Sequence, residues 1–242
     1  YALKDLSRNY QKILSIIVTL FISLFILSAI FTIEDSLKKE LNDNARSLLG
    51  GDLEIDYNRN QGNLVLLNKV KKFATISQMI EFSTMLSTTG RTKNKSLFTR
   101  IKTVDEKYPL YGKIVYEPEG AYERMQKEPN TILVNESLSK TLNLKINEKV
   151  KVQNQNFTVI GVIKSVPDVS GFVAFGDWAL AGKQTLDILK LNGIGSFLNY
   201  EYKVKFNLND DPEKIEKRIE NIFKDDQKVK LRYPENSASG IK

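Results

Sequence analysis

Adjacent acidic residues are the side chains of this chain whose type and spacing could support acid–base chemistry. Two neighbouring carboxylates can act as general acid and general base when their surroundings separate their pKa values. Such pairs occur at Glu34/Asp35, Asp210/Asp211 and Asp225/Asp226. Each pair lies at a predicted helix end or surface turn, where helix capping and solvation already account for acidic residues. The pairs therefore do not predict a catalytic centre.

The residue types that the sequence lacks limit other chemistry. It contains no histidine and no cysteine, which removes the imidazole base, the thiolate nucleophile, disulfides and the usual zinc ligands. A phosphate-binding loop, a dinucleotide fingerprint and a metal-ligand motif are also missing. We therefore expect a protein that is not an enzyme, with no catalytic, cofactor-binding or metal-binding residues and no cofactor. A membrane-anchored hydrolase is the weakest alternative, because the sequence has no nucleophile elbow.

The longest uncharged run extends from Ile13 to Ile33. Its roughly 21 residues would form a helix of about 31 Å, which matches the hydrocarbon core of a bilayer. The alternative is a signal peptide, but the apolar region of a signal peptide is usually shorter, and no small-residue cleavage pattern follows Ile33. We therefore predict a transmembrane helix at 13–33 and the lipid bilayer as a partner.

Basic residues flank the span unequally. Lys4, Arg8 and Lys12 precede it against a single Asp5, whereas acidic and basic residues are mixed after it. Positively charged flanks tend to remain in the cytoplasm. We therefore predict a cytoplasmic N-terminus, with the residues after about 34 outside the cell or in the periplasm.

The net charge of +7 comes from 36 basic and 29 acidic residues. Such a charge could attract anionic lipid headgroups or nucleic acid. The lysines are scattered, however, and those on predicted strands, such as Lys203 and Lys205, alternate with apolar residues. This pattern favours a solvated face, and we expect no nucleic-acid partner.

Apolar positions continue at helical spacing beyond the span. They are Leu37, Leu41, Ala45, Leu48 and Leu49. This stripe predicts that the helix runs on to Gly50 and Gly51, where glycine ends it in a left-handed cap. Counted from Glu34, the stalk would be roughly 24 Å long. A separate amphipathic helix on the membrane surface is the alternative.

The rest of the chain has an α+β pattern. Strands predicted at 52–57, 79–88 and 96–104 surround a short helix at 64–73, and 113–130 is predicted to be an irregular connection. Short strands within 131–163 predict a compact β lobe, in which Asn135 caps a helix. A strand at 200–206, a helix capped by Asp211 and a strand at 229–233 return to the first pattern. The two α/β parts could form one split, ferredoxin-like sheet with the β lobe inserted between them.

These patterns divide the chain into six predicted parts. They are a cytoplasmic flank at 1–12, the transmembrane helix at 13–33, the helical stalk at 34–51, the first part of the α/β lobe at 52–130, the inserted β lobe at 131–195 and the second part of the α/β lobe at 196–242. Position 1 is Tyr rather than Met. We expect the chain to be a piece of a longer protein, with another span after residue 242.

Three stretches together resemble the FtsX-like and MacB-like ABC transporter permeases. They are the opening ALKDLSRNYQK, the helix end LLGGDLEI and the run TILVNESLSKTLNLKINEKVKVQNQNFTVIGVI. Within the run, the positions that match the family's external-domain pattern are Leu142, Leu144, Val150, Val159 and Gly161. Asn147 stands where glycine is usual, so the type of turn there departs from the family pattern.

Two further stretches, IKTVDEKYPLYG at 101–112 and SGFVAFGDWAL at 170–180, resemble the YbbP-type branch of that family. The candidate family-motif positions, for structural or partner contact, are Gly50, Gly51, Asp52, Asp105, Tyr108, Pro109, Gly112, Gly171, Phe172, Gly176 and Trp178. Trp178 could anchor a partner or a lipid headgroup, but core packing is the simpler interpretation. The segment 170–182 could pack on the β lobe as a loop or grip a ligand.

The resemblance implies the first transmembrane helix and the two-lobed periplasmic domain of a non-catalytic permease in the bacterial inner membrane. The lobes would be a ferredoxin-like porter lobe and an inserted sabre-like β lobe. A cytoplasmic ATPase on a separate chain would drive domain motion that exports or extracts hydrophobic or lipid-like substrates. A periplasmic esterase or lysophospholipase-type protein is a further implied partner. The alternative is an extracytoplasmic sensor domain of a membrane-anchored signalling protein.

Overall fold

The structure is a computed structural model, and it describes residues 10–90, 92, 94–168, 176–191, 197–207 and 211–234. The chain divides into two compact units, Tyr1–Asn44 and Ala45–Lys242. The described residues combine helices and strands, so the predicted mixed α/β character is confirmed.

The N-terminal helix, α1, comprises Tyr10–Leu49. Its segment Leu14–Phe31 has a mean hydropathy of 2.7, is not buried by other parts of the protein, and is long and apolar enough to cross a membrane. The hydroxyl groups of Thr19 and Ser23 donate to the carbonyl oxygens of Ser15 and Thr19, each at 2.8 Å. These polar groups are therefore paired within the helix, as a hydrocarbon environment requires.

The second unit contains short helices and a broad sheet. The helices are α2 (Leu64–Val70), α3 (Ala121–Lys127), α4 (Glu136–Leu142), α5 (Thr185–Ile188) and α6 (Pro212–Phe223). The strands are β1 (Leu53–Asn58), β2 (Ala74–Thr88), β3 (Ser96–Val104), β4 (Val115–Glu117), β5 (Thr131–Asn135), β6 (Lys149–Val152), β7 (Gln155–Ser165), β8 (Trp178–Gly182), β9 (Asn199–Phe206) and β10 (Lys230–Arg232). Across the described residues these strands form one sheet in the order β10-β1-β9-β2-β3-β8-β5-β7-β4, and β6 pairs with β2 and β7.

Local sequence signals place several of these elements. The Asn135 side chain accepts a hydrogen bond from the Leu138 amide at 3.0 Å and caps α4, as predicted. The Asp211 side chain accepts from the Glu213 amide at 3.2 Å, and Pro212 is the first residue of α6. Asn147 has φ +68°. Asparagine therefore adopts the left-handed turn conformation at the position where the family pattern has glycine.

Two predicted irregular segments are partly regular. The prediction of an irregular connection at 113–130 is wrong, because this range contains β4 and α3. Helix α3 has only two buried apolar residues, Ala121 and Met125, so its periodicity was too short to detect. The segment 170–182 was predicted to be a loop, but its residues 178–182 form β8, a strand buried along its whole length.

Apolar clusters cover both faces of much of the sheet. Leu53, Ile55 and Tyr57 of β1 pack with Val204 of β9 beneath α2 and α6. Residues of β2, β5, β6 and β7 form a second cluster with α4, and a third cluster lies under α3. The alternate residues of β1 and β9 face the other way and are polar, yet several of them are buried. This buried polar face contains the candidate functional site.

Candidate functional site at the end of the first helix

The last turn of α1 enters the second unit through a glycine-terminated cap. Gly50 has φ +75°, its amide donates to the Ser47 carbonyl, and the Gly51 amide donates to the Arg46 carbonyl, both at 3.1 Å. This pair of hydrogen bonds is the Schellman arrangement, and the left-handed residue at its centre favours glycine. Ala45 and Leu49 are buried, so the turn is part of the folded unit rather than an exposed connection.

Glycine also permits close contact at this cap. A side-chain carbon added to Gly50 would lie 2.9 Å from Cβ of Asp168 and 3.7 Å from Cε of Lys203. At Gly112, with φ +72°, an added carbon would lie 2.5 Å from Cβ of Pro167 and 3.3 Å from the hydroxyl of Ser47. Three segments are therefore in close contact, namely the end of α1, the loop after β3 and the segment after β7.

Asp168 is a fully buried carboxylate at the centre of this contact. Its Oδ2 lies 3.1 Å from the ammonium of Lys102 on β3, and its Oδ1 accepts a hydrogen bond from the hydroxyl of Tyr108. Burial, reinforced by the Asp168 charge, holds the pKa of Tyr108 well above its ordinary value. Burial is the largest single effect and would lower the pKa of Lys102, but the carboxylates of Asp168, Glu201 and Glu81 together outweigh it and the pKa is raised. Tyr108 therefore stays a neutral donor and Lys102 a cation.

A second buried ion pair lies across the neighbouring strands. Glu54 of β1 is opposite Lys203 of β9 and Arg232 of β10 in the sheet register. Lys203, only 1% exposed, donates to Oε2 of Glu54, while Nη1 of Arg232 lies 3.1 Å from Oε1. Burial raises the pKa of Glu54, and the Lys203 ammonium opposes the increase. We call Asp168, Lys102, Tyr108, Glu54 and Lys203 the buried polar cluster.

Asp52 attaches the cap to the edge of this cluster. Its Oδ2 accepts hydrogen bonds from the Tyr111 hydroxyl and the Phe206 amide, both at 2.8 Å, and its Oδ1 lies 3.4 Å from Nε of Arg46. The Lys205 ammonium donates to the Leu110 carbonyl at 3.2 Å. One carboxylate thus joins the last turn of α1, the start of β1, the loop after β3 and the end of β9.

Asp105 starts the loop that carries Tyr108. Its carboxylate accepts hydrogen bonds from the Ser77 hydroxyl at 2.7 Å and from the Gln78 amide at 2.8 Å. Its carbonyl accepts from the Tyr108 amide at 3.3 Å, which closes a tight turn. Pro109 follows Tyr108 across a cis peptide bond. Asp105 therefore fixes the loop to β2 and does not itself join the buried polar cluster.

Of the predicted motif positions within 170–180, those that the structure describes lie outside the buried polar cluster. Trp178 is 7% exposed and shares an apolar cluster with Met79 and Tyr108, so it is a core residue. Gly176 accepts a hydrogen bond from the Asn135 side chain at 2.8 Å, away from the helix end. Gly171 and Phe172 lie outside the described residues.

Four charged residues of the cluster were missed by sequence reasoning, namely Asp168, Lys102, Glu54 and Lys203. The prediction that Lys203 lies on a solvated face is wrong, because the helix end and its neighbouring loop cover that face of the sheet. A signal was present in the sequence. Acidic residues alternate at Asp52, Glu54 and Asp56 in and just before β1, while Lys203 and Lys205 alternate along β9. Opposite charges on alternating positions of two strands favour cross-strand pairing.

The buried polar cluster is suited to fixing the positions of the strands and loops that contribute its residues. Among the described residues, every buried side-chain nitrogen and oxygen has a hydrogen-bond partner. In the same part of the chain, no three acidic residues group together as a candidate metal site. Each charge is paired with an opposite charge, and removing either member of the Lys102–Asp168 pair would leave an unpaired buried ion.

Comparison with known proteins identifies the family of this chain. Residues 14–222 match the family described as the MacB-like periplasmic core domain. The chain belongs to this family. This chain is also 26% identical over 206 residues to YbbP of Escherichia coli (strain K12), described as an uncharacterized ABC transporter permease. That alignment covers 84% of this chain and 24% of YbbP, so the chain spans about a quarter of the relative's length.

Solved structures share the fold. The periplasmic region of MacB from Actinobacillus actinomycetemcomitans has a TM-score of 0.54 at 16% identity, covering 84% of this chain and 97% of that one. A domain of a Porphyromonas gingivalis protein has a TM-score of 0.51 at 13% identity, covering 76% and 89%. The predicted resemblance to MacB-like and FtsX-like permeases, including the YbbP-type branch, is confirmed.

Replacing Gly50 by alanine should destabilise the MacB-like core domain through two effects. The left-handed backbone costs a non-glycine residue about 1–2 kcal/mol, and contact with Asp168 adds overpacking of about 1–3 kcal/mol. Gly120→Ala is the matched control, because Gly120 has φ +79° and open space around its Cβ position. Urea unfolding in detergent micelles, followed by fluorescence of the single tryptophan, Trp178, measures both variants. Equal losses at Gly50 and Gly120 would contradict the close-contact explanation.

Removing one member of the Lys102–Asp168 pair should cost far more than removing both. Lys102→Met leaves a buried carboxylate without its counter-ion, and we expect a loss of about 3–5 kcal/mol. The double variant Lys102→Met/Asp168→Leu should lose clearly less than the sum of the two single variants. Lys140→Met, in the exposed pair with Glu136, is the control and should change stability little. The same unfolding assay completes the cycle, and additive losses would show that the pair is not coupled.

Proposed function

We propose that this chain is the first membrane span and external domain of a permease subunit in an ABC transporter of the MacB/FtsX type. The observation that carries the proposal is the attachment of the last turn of α1 to the buried polar cluster. Gly50 contacts Asp168, and Asp52 bonds both the loop after β3 and the end of β9. A displacement of this helix turn would therefore be passed to the sheet, because yielding at the contact would break the hydrogen bonds of the buried Asp52 carboxylate.

Such a subunit requires parts that lie outside this chain. The chain corresponds to about a quarter of YbbP, which leaves room for further membrane spans in the complete protein. We propose that a separate cytoplasmic ATPase binds the complete permease and that ATP hydrolysis moves the external domain. In this role the MacB-like core domain is mechanical and performs no catalysis itself.

The proposed substrate is a hydrophobic or lipid-like molecule. Likeness to the YbbP-type branch supports a hydrophobic or lipid-like molecule that is exported or extracted from the membrane. A periplasmic esterase or lysophospholipase-type protein would act beside it. Both assignments follow from the resemblance of the 101–112 and 170–180 stretches and of LLGGD.

A division into porter-like and sabre-like lobes is also proposed. Two apolar clusters support two packing centres within the single sheet. One is formed by β1, β9, α2, α6 and the first residues of β2, and the other by β5, β6, β7, β8 and α4 with β3 and the later residues of β2. The porter-like lobe would comprise 52–130 and 196–242, and the sabre-like lobe 131–195.

The proposal predicts an inner-membrane protein with its N-terminus in the cytoplasm and the domain after about residue 34 outside. Because the chain has no cysteine, single cysteines can be introduced without background. Asn154→Cys, in the exposed turn between β6 and β7, should react with a membrane-impermeant maleimide in intact spheroplasts. Lys4→Cys should react only after the membrane is opened. The reverse pattern would place the domain in the cytoplasm and exclude this function.

Co-purification tests the transport assignment directly. The complete membrane protein, tagged and extracted in mild detergent, should retain an ABC-type ATPase that mass spectrometry identifies. A tagged single-span protein of unrelated sequence, expressed in the same cells, is the control for adventitious capture. Recovery of a kinase or cyclase without an ATPase would contradict the proposal and favour the sensor alternative.

A further inference from the structure

A basic groove lies on the opposite face of the sheet from the buried polar cluster, between α2 and α6. It has a volume of about 1090 Å³ and is open to solvent. Its lining includes five cationic side chains, which are Lys69, Lys214, Lys217, Arg218 and Lys228. Two carboxylates, Asp225 and Asp226, also line it. The groove therefore has an excess of positive charge that the fold does not require for its own packing.

Three of these five cations have no ion-pair partner among the residues that the structure describes. Lys214 lies 3.4 Å from Asp211, and Arg218 stacks 4.1 Å above the ring of Phe73. Lys69, Lys217 and Lys228 form no ion pair with any residue that the structure describes. These three cations are available to an external anion.

The carboxylates in the groove are partly occupied by internal contacts. Asp226 accepts hydrogen bonds from the Tyr57 hydroxyl at 2.8 Å and from the Lys228 amide at 3.1 Å. Asp226 therefore holds the groove wall in position while keeping its negative charge. With Asp225, the lining thus has two negative side chains against five cations, so the excess of positive charge remains.

The floor of the groove is apolar in part. Leu66 and Ile222 line it and pack against the cluster beneath α2 and α6. An apolar centre with a charged rim is the usual anatomy of a protein–protein contact surface.

Other anions fit this surface less well. A single phosphate group needs several donors that converge on one point, whereas these cations are distributed over α2, α6 and the turn before β10. A flat bilayer surface would contact the rim but would not reach the floor of a concave groove. An extended chain with several carboxylates can contact the distributed cations and the apolar floor together.

We infer that the groove between α2 and α6 binds an acidic, extended segment of a partner protein, with carboxylates on the cationic rim and an apolar side chain on Leu66 and Ile222. This interaction is separate from ATPase coupling and does not depend on the identity of the transported molecule. Charge complementarity of this kind chiefly determines association rate and partner choice.

Binding of a model peptide tests the inference. The probe is a short fluorescein-labelled peptide rich in glutamate with interspersed leucine, and the glutamine version of that peptide is the neutral control. Fluorescence anisotropy is measured with the whole chain in an uncharged detergent. We expect binding of the glutamate peptide that weakens as salt is added, because exposed charges are screened over about 10 Å at moderate ionic strength. The glutamine peptide should not bind.

Charge-reversal variants distinguish a specific groove from general attraction to a basic protein. Lys69→Glu/Lys217→Glu should weaken peptide binding at least about tenfold. Lys149→Glu/Lys151→Glu changes the net charge equally at exposed positions of β6 and should change binding less than about twofold. Unfolding monitored by Trp178 fluorescence checks that each variant remains folded.

Three results would overturn the inference. Equal weakening by both double variants would mean that only the net charge attracts the peptide. Displacement of the peptide by inorganic phosphate, at matched ionic strength, would identify a simple anion site. No binding of the glutamate peptide at low salt would exclude an acidic partner segment at this groove.

Discussion

The burial of charged side chains on one face of the sheet is the constraint on which the rest of the domain depends. Moving a carboxylate or an ammonium out of water costs several kcal/mol per ion unless an opposite charge and hydrogen bonds replace the water. Asp168 and Lys203 are both almost inaccessible to solvent. The last turn of α1, the loop around Tyr108 and the segment at Pro167 must therefore remain in place over β1 and β9.

The two faces of this part of the sheet differ in how they resist displacement. Beneath α2 and α6 the contacts are apolar, and such contacts depend on area and shape more than on direction. On the opposite face, Glu54 and Asp168 each bind a cation at defined atoms, so a small shift breaks specific bonds. Directional contacts occur where the first helix ends, so specific hydrogen bonds fix the position of its last turn. Helices α2 and α6 cover the apolar face with their inner sides, and their outer surfaces line the groove.

Local signals made much of the fold predictable. The caps at Asn135 and Asp211 and the helix end at Gly50 depend on neighbouring residues, and each was identified from sequence. Helix α3 was missed because seven residues with two buried positions carry too little periodicity. Lys203 was misassigned because alternation shows that a strand has two different faces but not what covers the polar one. The cover comes from residues distant in sequence, such as Asp168, which strand patterns cannot bring together.

The glycines of the family motif are required for different physical reasons. Gly50 and Gly112 combine a left-handed backbone with neighbours closer than a side chain permits, so glycine is required there for two reasons. Gly176 also has a positive φ, of +110°, but open space surrounds its Cβ position. At position 176, glycine is therefore required only because of the backbone conformation. Glycines such as Gly50 and Gly112 occur where separate segments of the chain are in close contact. In this domain they lie where the last turn of the first helix contacts the sheet.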